Sequence, residues 1–253
     1  GWLYKGRDSV PWCPRCGTAI SQHEILTEEY KELTHESIYL RYPVNGQPKT
    51  YLVVWTTTPW TLPGNVALAI DKNKQYVEAF DDEGNRYYLL ENATKKLGLK
   101  DLMKIDNKAL LGMYYGSPFD DLVRVKETMG LHPHEVIVAD PLILPISEDE
   151  GTGIVHIAPG AGTEDFQLGK TRVNFPLIEL IDEGAIYLDG MDEFTGKNAK
   201  KDPEIIIDYL KNKENGKFLF KTEQYTHRYP TCWRCKTELV WRVVDEWYIS
   251  MDR

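Results

Sequence analysis

The sequence predicts an α+β fold in which many short strands form an irregular β-barrel and a few helices lie at its periphery. Three observations lead to this class. Short segments rich in β-branched and aromatic residues recur along the middle of the chain between turn signals. Only three segments have helical character. The chain has 253 residues, 42% of them hydrophobic, which is enough for a sizeable core.

Two Cys-x-x-Cys pairs lie near opposite ends of this chain. Cys13 and Cys16 form the first pair, Cys232 and Cys235 form the second, and there is no other cysteine. Four thiolates in two such turns supply the tetrahedral shell that Zn²⁺ prefers. Redox motifs or disulfides are the alternatives, but neither pair stands between a strand and a helix. We therefore expect a structural zinc ion that joins the terminal segments into a stem, as in an insertion within a larger protein.

The strands between the two pairs begin with two predicted hairpins. Residues 37–42 alternate in polarity, Asn45-Gly46 is a hairpin-type dipeptide, and residues 51–55 form the return strand. Residues 76–80 and 86–90 flank a polar loop in the same way. The remaining elements are two strands and three helices, at residues 136–139, 154–158, 93–97, 163–170 and 203–213.

A threonine-rich segment, residues 55–65 (WTTTPWTLPGN), ends a predicted strand and enters a loop. Consecutive threonines at a strand end place hydroxyl groups on both sides of the backbone, and the two prolines stiffen the loop. The segment could therefore present fixed hydroxyls to a polar ligand. Strand propensity alone also explains a run of threonines, so both interpretations stay open here.

A glycine-rich segment, residues 151–166 (GTGIVHIAPGAGTEDF), predicts a strand, a tight turn and a helix with Thr163 as its N-cap. It is not a dinucleotide motif, because Asp165 occupies the third glycine position, and it is not a phosphate loop, because Glu164 stands where that motif needs glycine. From the residues alone, Asp165 can be a helix-terminal carboxylate and His156 a core histidine.

The net charge of −9 argues against a protein that coats nucleic acid by bulk electrostatics. Residues 195–242 nevertheless carry 11 basic against 6 acidic side chains, which suits either one specific polyanion or a solvated helix face. No run approaches the roughly 18 apolar residues of a membrane helix, and the start lacks the features of a signal peptide. We expect a cytoplasmic protein with no membrane contact.

Taken together, residues 55–65 and 151–165 closely resemble the editing domain inserted in isoleucyl-tRNA synthetase, a class I synthetase. The resemblance covers nearly the whole chain and includes the cysteine knuckles as zinc-binding stems. In the related valyl enzymes an arginine follows the threonines, whereas Pro59 and Trp60 follow Thr58 here. The resemblance therefore favours the isoleucyl branch.

The activity that this resemblance implies is hydrolysis of mischarged valyl-tRNA(Ile). A synthetic pocket separates isoleucine from valine by one methylene, worth roughly 1–3 kcal/mol, so a second site must remove the valyl product. The adenylate-forming signatures of class I synthetases are absent, so this chain should not charge tRNA. Its implied partners are the 3′ end of tRNA(Ile) carrying valine and the rest of the synthetase chain, and we expect a monomer.

The resemblance also assigns roles to individual residues. It implies that Asp165 holds the α-ammonium group of the misattached amino acid and that His156 admits valine and excludes isoleucine. The implied catalytic set is Asp165, Thr57, Thr58 and His156, and the implied substrate-binding set is Trp55, Thr56, Thr61 and Asn65. Ala161 departs from the family, which often has a histidine at this position.

The expected domain organisation is an N-terminal stem at residues 1–36, an editing domain at 37–225 and a C-terminal stem at 226–253. Two alternatives stay open. One is a non-catalytic, zinc-stabilised tRNA-binding module, and the other is the editing domain of a related valyl or leucyl synthetase.

Overall fold

A computed structural model describes residues 2–28 and 30–251, in which there are twelve strands and five α-helices. The strands are β1 (Leu3–Cys13), β2 (Thr18–Ala19), β3 (Tyr30–Pro43), β4 (Thr50–Thr56), β5 (Ala67–Ile70), β6 (Tyr76–Phe80), β7 (Arg86–Leu90), β8 (Lys100–Lys104), β9 (Glu135–Val138), β10 (Ile154–Ile157), β11 (Leu219–Pro230) and β12 (Val240–Ile249). The helices are α1 (Gln22–Glu28), α2 (Glu91–Thr94), α3 (Val123–Met129), α4 (Thr163–Lys170) and α5 (Glu204–Asn212). None of these helices is long and apolar enough to cross a membrane.

The strands form three open sheets, so the α+β class is right but the expected barrel is wrong. The largest sheet has the order β11-β3-β4-β7-β6-β8, and its β4–β7 pair is parallel. The second has the order β10-β5-β9 and the third the order β12-β1-β2. Closure would need a continuous series of paired strands. Instead β5 pairs with β10 and with β9 in a separate sheet, and β10 packs against β4 of the largest sheet.

Both predicted hairpins are confirmed, because β3 pairs antiparallel with β4 and β6 pairs antiparallel with β7. The strands at 136–139 and 154–158 correspond to β9 and β10, and α4 and α5 lie where helices are expected. The helix expected at 93–97 lies earlier, as α2 at Glu91–Thr94, after which residues up to Leu99 form turns.

The two ends of the described chain form an antiparallel ribbon. β1 and β12 pair from Leu3 opposite Ile249 to Trp12 opposite Val240. β3 and β11 form a second long antiparallel pair, from Tyr30 opposite Pro230 onward, and this pair runs through both expected domain boundaries, at 36/37 and 225/226. The outer ends of the expected stems, residues 1 and 252–253, lie outside the described residues.

The central strand β4 lies between two hydrophobic clusters. Leu52 and Val54 belong to the larger cluster, which includes residues of β5 and β10, and Val53 belongs to a smaller one on the other face of the sheet. Because side chains alternate along a strand, Thr56 points to the same side as Val54, toward β10. The end of β4 is therefore held from both sides, which fixes the start of the threonine-rich segment.

Candidate active site

The threonine-rich segment leaves β4 at Thr56 and enters a short 3₁₀ helix at Pro59–Gly64. Proline suits the first position of this helix because its fixed φ is already helical and it lacks an N–H that would need a partner. The backbone N–H of Thr58 donates to Thr56 Oγ1 at 3.1 Å. The hydroxyl of Thr61 donates to the carbonyl of Thr58 at 2.9 Å. Threonine side chains thus hold the turn in one conformation.

The glycine-rich segment provides the opposite wall through β10, a tight turn and α4. Gly160 packs so closely on the backbone of Ile178 that a Cβ would overlap the Ile178 carbonyl. Glycine at this position therefore allows two backbone segments of the protein to pack together. The N-cap prediction is wrong, because Gly162 is the N-cap and Thr163 is the first helical residue. The Thr163 hydroxyl instead donates to the carbonyl of Ser9 at 3.1 Å.

Between the two segments lies a cavity of about 400 Å³. Seven of the eight predicted catalytic and substrate-binding residues line it: Trp55, Thr56, Thr57, Thr58, Thr61, His156 and Asp165. Ala161, the departure from the family, also lines it. Sequence positions almost 100 residues apart therefore meet at one cavity.

Asn65 is the predicted site residue that the structure does not bring to this cavity. It is buried, and its side-chain amide donates to the carbonyl of Ala67 at 2.9 Å. Its Oδ1 accepts a hydrogen bond from the Tyr115 hydroxyl at 2.7 Å. Both ends of the Asn65 amide are thus engaged within the protein, where they anchor the end of the threonine-rich segment.

Asp165 is a partly buried carboxylate in the first turn of α4. Its Oδ2 accepts a hydrogen bond from the backbone N–H of Ala158 at 2.8 Å, and Oδ1 has no hydrogen-bond partner in the described part of the chain. Burial raises the pKa of Asp165 to about 7, against the opposing effect of the Ala158 N–H. A cationic group in the cavity would favour the ionised form and would find one carboxylate oxygen available.

His156 lies on β10 opposite Leu68 of β5 and is only 8% exposed. Its Nε2 lies 3.0 Å from the Thr61 hydroxyl. Burial lowers the pKa of His156 to about 4, so the ring is neutral at physiological pH. A neutral, buried ring suits a pocket wall that is selective by shape.

Sequence reasoning missed part of the cavity lining. The connection between β9 and β10 contributes Pro145, Ile146, Ser147 and Glu150. This connection has neither strand nor helix periodicity, and only the pairing of β9 and β10 with β5 brings it to the cavity. Trp241 of β12 also lines the cavity. Trp241 belongs to the C-terminal segment that resembles the family's stem. That resemblance is the one sequence signal that indicated this residue.

The four cysteines form a compact cluster at the base of the ribbon. Their sulfur atoms all lie within 4.8 Å of one another, and none of the four forms a disulfide. A tetrahedral Zn²⁺ with Zn–S bonds of about 2.3 Å places its sulfurs about 3.8 Å apart, so this donor set fits the ion. Each pair is followed by a left-handed residue, Gly17 or Lys236, whose N–H donates to the carbonyl of the first cysteine of its pair.

The lysines of α5 and the turn after it are engaged in ion pairs. The partners are Asp208 for Lys211, Asp121 for Lys213 and Glu214 for Lys217. These three lysines therefore belong to a solvated, locally neutralised surface. An interaction of residues 195–242 with a polyanion would depend on the other basic side chains of that stretch.

The whole chain, residues 1–253, matches the tRNA synthetases class I (I, L, M and V), and the chain belongs to this family. Its relatives include the isoleucine–tRNA ligases of Clostridium acetobutylicum, 38% identical over 98% of the chain, and Pyrococcus furiosus, 37% identical over 100%. That of Sulfolobus acidocaldarius is 35% identical over 100%. The chain spans only 23% to 24% of the length of these relatives. The resemblance drawn from the two segments is confirmed.

The fold is similar to those of solved structures that include GlLeuRS-CP1, with a TM-score of 0.57 and 14% identity, covering 74% of this chain and 98% of that one. Another is the P. knowlesi cytosolic leucyl-tRNA synthetase editing domain, with a TM-score of 0.52 and 11% identity, covering 78% of this chain and 98% of that one. At these identities the likeness concerns the fold.

Proposed function

We propose that this chain is the editing region of an isoleucyl-tRNA synthetase and that it hydrolyses the ester of valyl-tRNA(Ile). The isoleucine–tRNA ligase relatives and the fold shared with leucyl editing domains support this proposal. The observation that carries it is Asp165, which brings an available carboxylate oxygen to a cavity also lined by threonine hydroxyls and a neutral histidine.

In the proposed reaction, the α-ammonium group of the amino acid binds Asp165 through a charge-assisted hydrogen bond. This contact places the ester carbonyl beside the threonines. Thr57 has no side-chain hydrogen bond within the described residues, so its hydroxyl can orient the attacking water. Water adds to the carbonyl, the bond from the acyl carbon to the ribose oxygen breaks, and valine and tRNA with a free hydroxyl are released. No covalent intermediate with the protein forms.

Selectivity for valine would come from the shape of the cavity near His156. Isoleucine differs by one methylene, and rejecting it on size alone gives a discrimination of roughly 1–3 kcal/mol. The ring of His156 is neutral, buried and hydrogen-bonded to Thr61, so it can act as a fixed, uncharged wall. The proposed partners are the terminal adenosine of the tRNA and the rest of the synthetase chain. The proposed location is the cytoplasm.

Zinc would have a structural role in this proposal. Cys13, Cys16, Cys232 and Cys235 would hold it, and a shell of four thiolates leaves no open position for water or substrate. The ion would join the end of β1 and the turn before β2, which hold Cys13 and Cys16, to the turn between β11 and β12, which holds Cys232 and Cys235. Because Trp241 lines the cavity one residue into β12, the stem and the cavity share a strand.

Deacylation of valyl-tRNA(Ile) and isoleucyl-tRNA(Ile), measured side by side, tests the proposal. The wild-type chain should remove valine faster than isoleucine, and Asp165→Ala should reduce valine loss to the spontaneous rate. Glu193→Ala is the matched control, because it removes an exposed carboxylate from the short 3₁₀ helix at Asp192–Phe194, outside the cavity. Normal turnover by Asp165→Ala would contradict the role of Asp165. Salt-sensitive tRNA binding without catalysed loss of either amino acid would instead indicate a binding module.

A further inference from the structure

We infer that Thr61 is a positioning residue that holds His156 as the Nε2–H tautomer, and that it is not a ligand of the substrate. This differs from the substrate-binding role that the family resemblance implies for Thr61. The assignment of the tautomer stands on geometry alone. Its consequence for deacylation rests on the proposed function.

The hydrogen bonds of the Thr61 hydroxyl determine where the proton of the imidazole lies. Thr61 Oγ1 lies 2.9 Å from the carbonyl oxygen of Thr58 and 3.0 Å from His156 Nε2. Two oxygen atoms at this separation need a proton between them, because their lone pairs repel each other. The carbonyl has no proton, so the single hydroxyl proton of Thr61 is donated to Thr58. Thr61 can then only accept from His156, and Nε2 carries the hydrogen.

The rest of the ring is consistent with this assignment. Nδ1 of His156 is buried and has no hydrogen-bond partner in the described chain. In the opposite tautomer this nitrogen would be a buried N–H without an acceptor, and the two oxygens would face each other with no proton between them. Burial also disfavours the doubly protonated ring, since the pKa of His156 is lowered to about 4. One neutral tautomer remains, with Nδ1 as an acceptor.

This arrangement separates the threonines into two groups. Thr61 is 5% exposed, and both functions of its hydroxyl are used within the protein. The side chain of Thr57 is partly exposed and unbonded in the described chain. We therefore assign contact with the substrate to Thr57. Thr61 acts through His156, by fixing which ring nitrogen is the acceptor and how the ring is oriented on the cavity wall.

The direct test is nitrogen NMR of the ¹⁵N-labelled 253-residue chain, because long-range ¹H–¹⁵N correlations distinguish the two imidazole tautomers. His156→Gln identifies the His156 signals by their loss. The wild type and Thr61→Ser, which keeps the hydroxyl, should show Nε2–H. Thr61→Val keeps the size of the side chain but removes the hydroxyl, and it should lose the pure Nε2–H pattern. An Nδ1–H ring in the wild type, or an unchanged pattern in Thr61→Val, would overturn the inference.

Deacylation of valyl-tRNA(Ile) provides the functional readout. Thr61→Val should lower the rate roughly tenfold, the effect of about one net hydrogen bond, and Thr61→Ser should restore most of it. A rate that falls equally in both variants would contradict the positioning role. If Thr61→Val does not fold, the spectra of the wild type and Thr61→Ser still decide the tautomer. If the wild type does not deacylate, the proposed function fails while the spectra still test the inference.

Discussion

Asp165 and His156 line one cavity, and burial changes their pKa values in opposite directions. The pKa of Asp165 is raised to about 7 and that of His156 is lowered to about 4, so burial disfavours the charged form of each. A cavity without a ligand is therefore a poor environment for charge. An α-ammonium group in the cavity would supply the opposite charge that stabilises the ionised carboxylate of Asp165. Ionisation of Asp165 is therefore linked to substrate binding.

Asp165→Asn should stabilise the protein in a pH-dependent way. Between about pH 4 and 7 the unfolded chain has lost the Asp165 proton while the folded chain retains it, so wild-type stability falls as pH rises through this window. Asparagine has no such proton, and its oxygen can still accept from the Ala158 N–H. The melting temperature of Asp165→Asn should therefore exceed that of the wild type at pH 8, and the difference should shrink toward pH 4. A difference that stays constant with pH would contradict the raised pKa.

His156→Ala should widen the cavity and relax its selectivity. Loss of the ring leaves space for the extra methylene of isoleucine, so hydrolysis of isoleucyl-tRNA(Ile) should rise and the preference for valine should fall by about tenfold or more. The ratio of the two deacylation rates measures this change. His23→Ala, which alters an exposed histidine in α1, is the control and should keep the wild-type ratio. Unchanged rejection of isoleucine by His156→Ala would refute the role of a selective wall.

The position of β10 depends on the glycine that precedes this strand. Gly153 has a φ of +75°, and a Cβ there would overlap the side chain of Leu90. Gly84 has nearly the same φ, +74°, but open space around it. A residue with a Cβ would pay the same backbone cost of a left-handed conformation at Gly153 and at Gly84. The difference in stability between the two substitutions therefore measures the packing cost beside β10.

Gly153→Ala should therefore destabilise the chain more than Gly84→Ala. Both should lose roughly 1–2 kcal/mol from the left-handed backbone, and Gly153→Ala should lose about 1–3 kcal/mol more from overpacking. Denaturant unfolding gives the difference between the two free energies. Because His156 lies on the same strand, valyl-tRNA(Ile) deacylation should also fall in Gly153→Ala only. Equal losses of stability would show that Leu90 moves aside at little cost.

The hairpins could be predicted from sequence because their signals are local. Asn45-Gly46 and the loop after β6 are turn signals between strands that pair with their neighbours in the chain. β1 and β12 lack such a signal, since they pair across more than 200 residues and β1 contains Gly6 and Pro11. Propensity describes a residue's own preference and says nothing about a partner so distant in sequence.

The cysteine cluster should control the stability of the folded chain. The knuckles lie beside the end of the ribbon at which Trp12 pairs with Val240, so removing a bound ion would release β1 from β12 at that end. We expect a chelator to lower the melting temperature of the zinc-loaded protein, by about 2–4 °C for each kcal/mol of metal stabilisation lost. Cys232→Ser should melt lower without chelator and show little further change with it. Metal analysis giving well below one zinc per chain would contradict a shared site.

The candidate site was easier to predict from sequence than the sheet topology. The residues of the threonine-rich and glycine-rich segments are contiguous, and the family resemblance is enough to place both segments in one site. The barrel expectation failed because alternation shows that a strand has two faces but does not show which strand lies beside it. The Glu150 region was missed for the same reason, since its place depends on β5 pairing with both β9 and β10.

The hydrogen bonds of Asn65 have a consequence for accuracy of selection. The threonine-rich segment is fixed at one end by β4, between two hydrophobic clusters, and at the other by the bond between Asn65 and Tyr115. If a cavity distinguishes two amino acids that differ by one methylene, the fluctuations of its width must be smaller than a methylene group. Asn65, which does not touch the cavity, would thus limit thermal widening of the cavity and with it the error rate of the reaction.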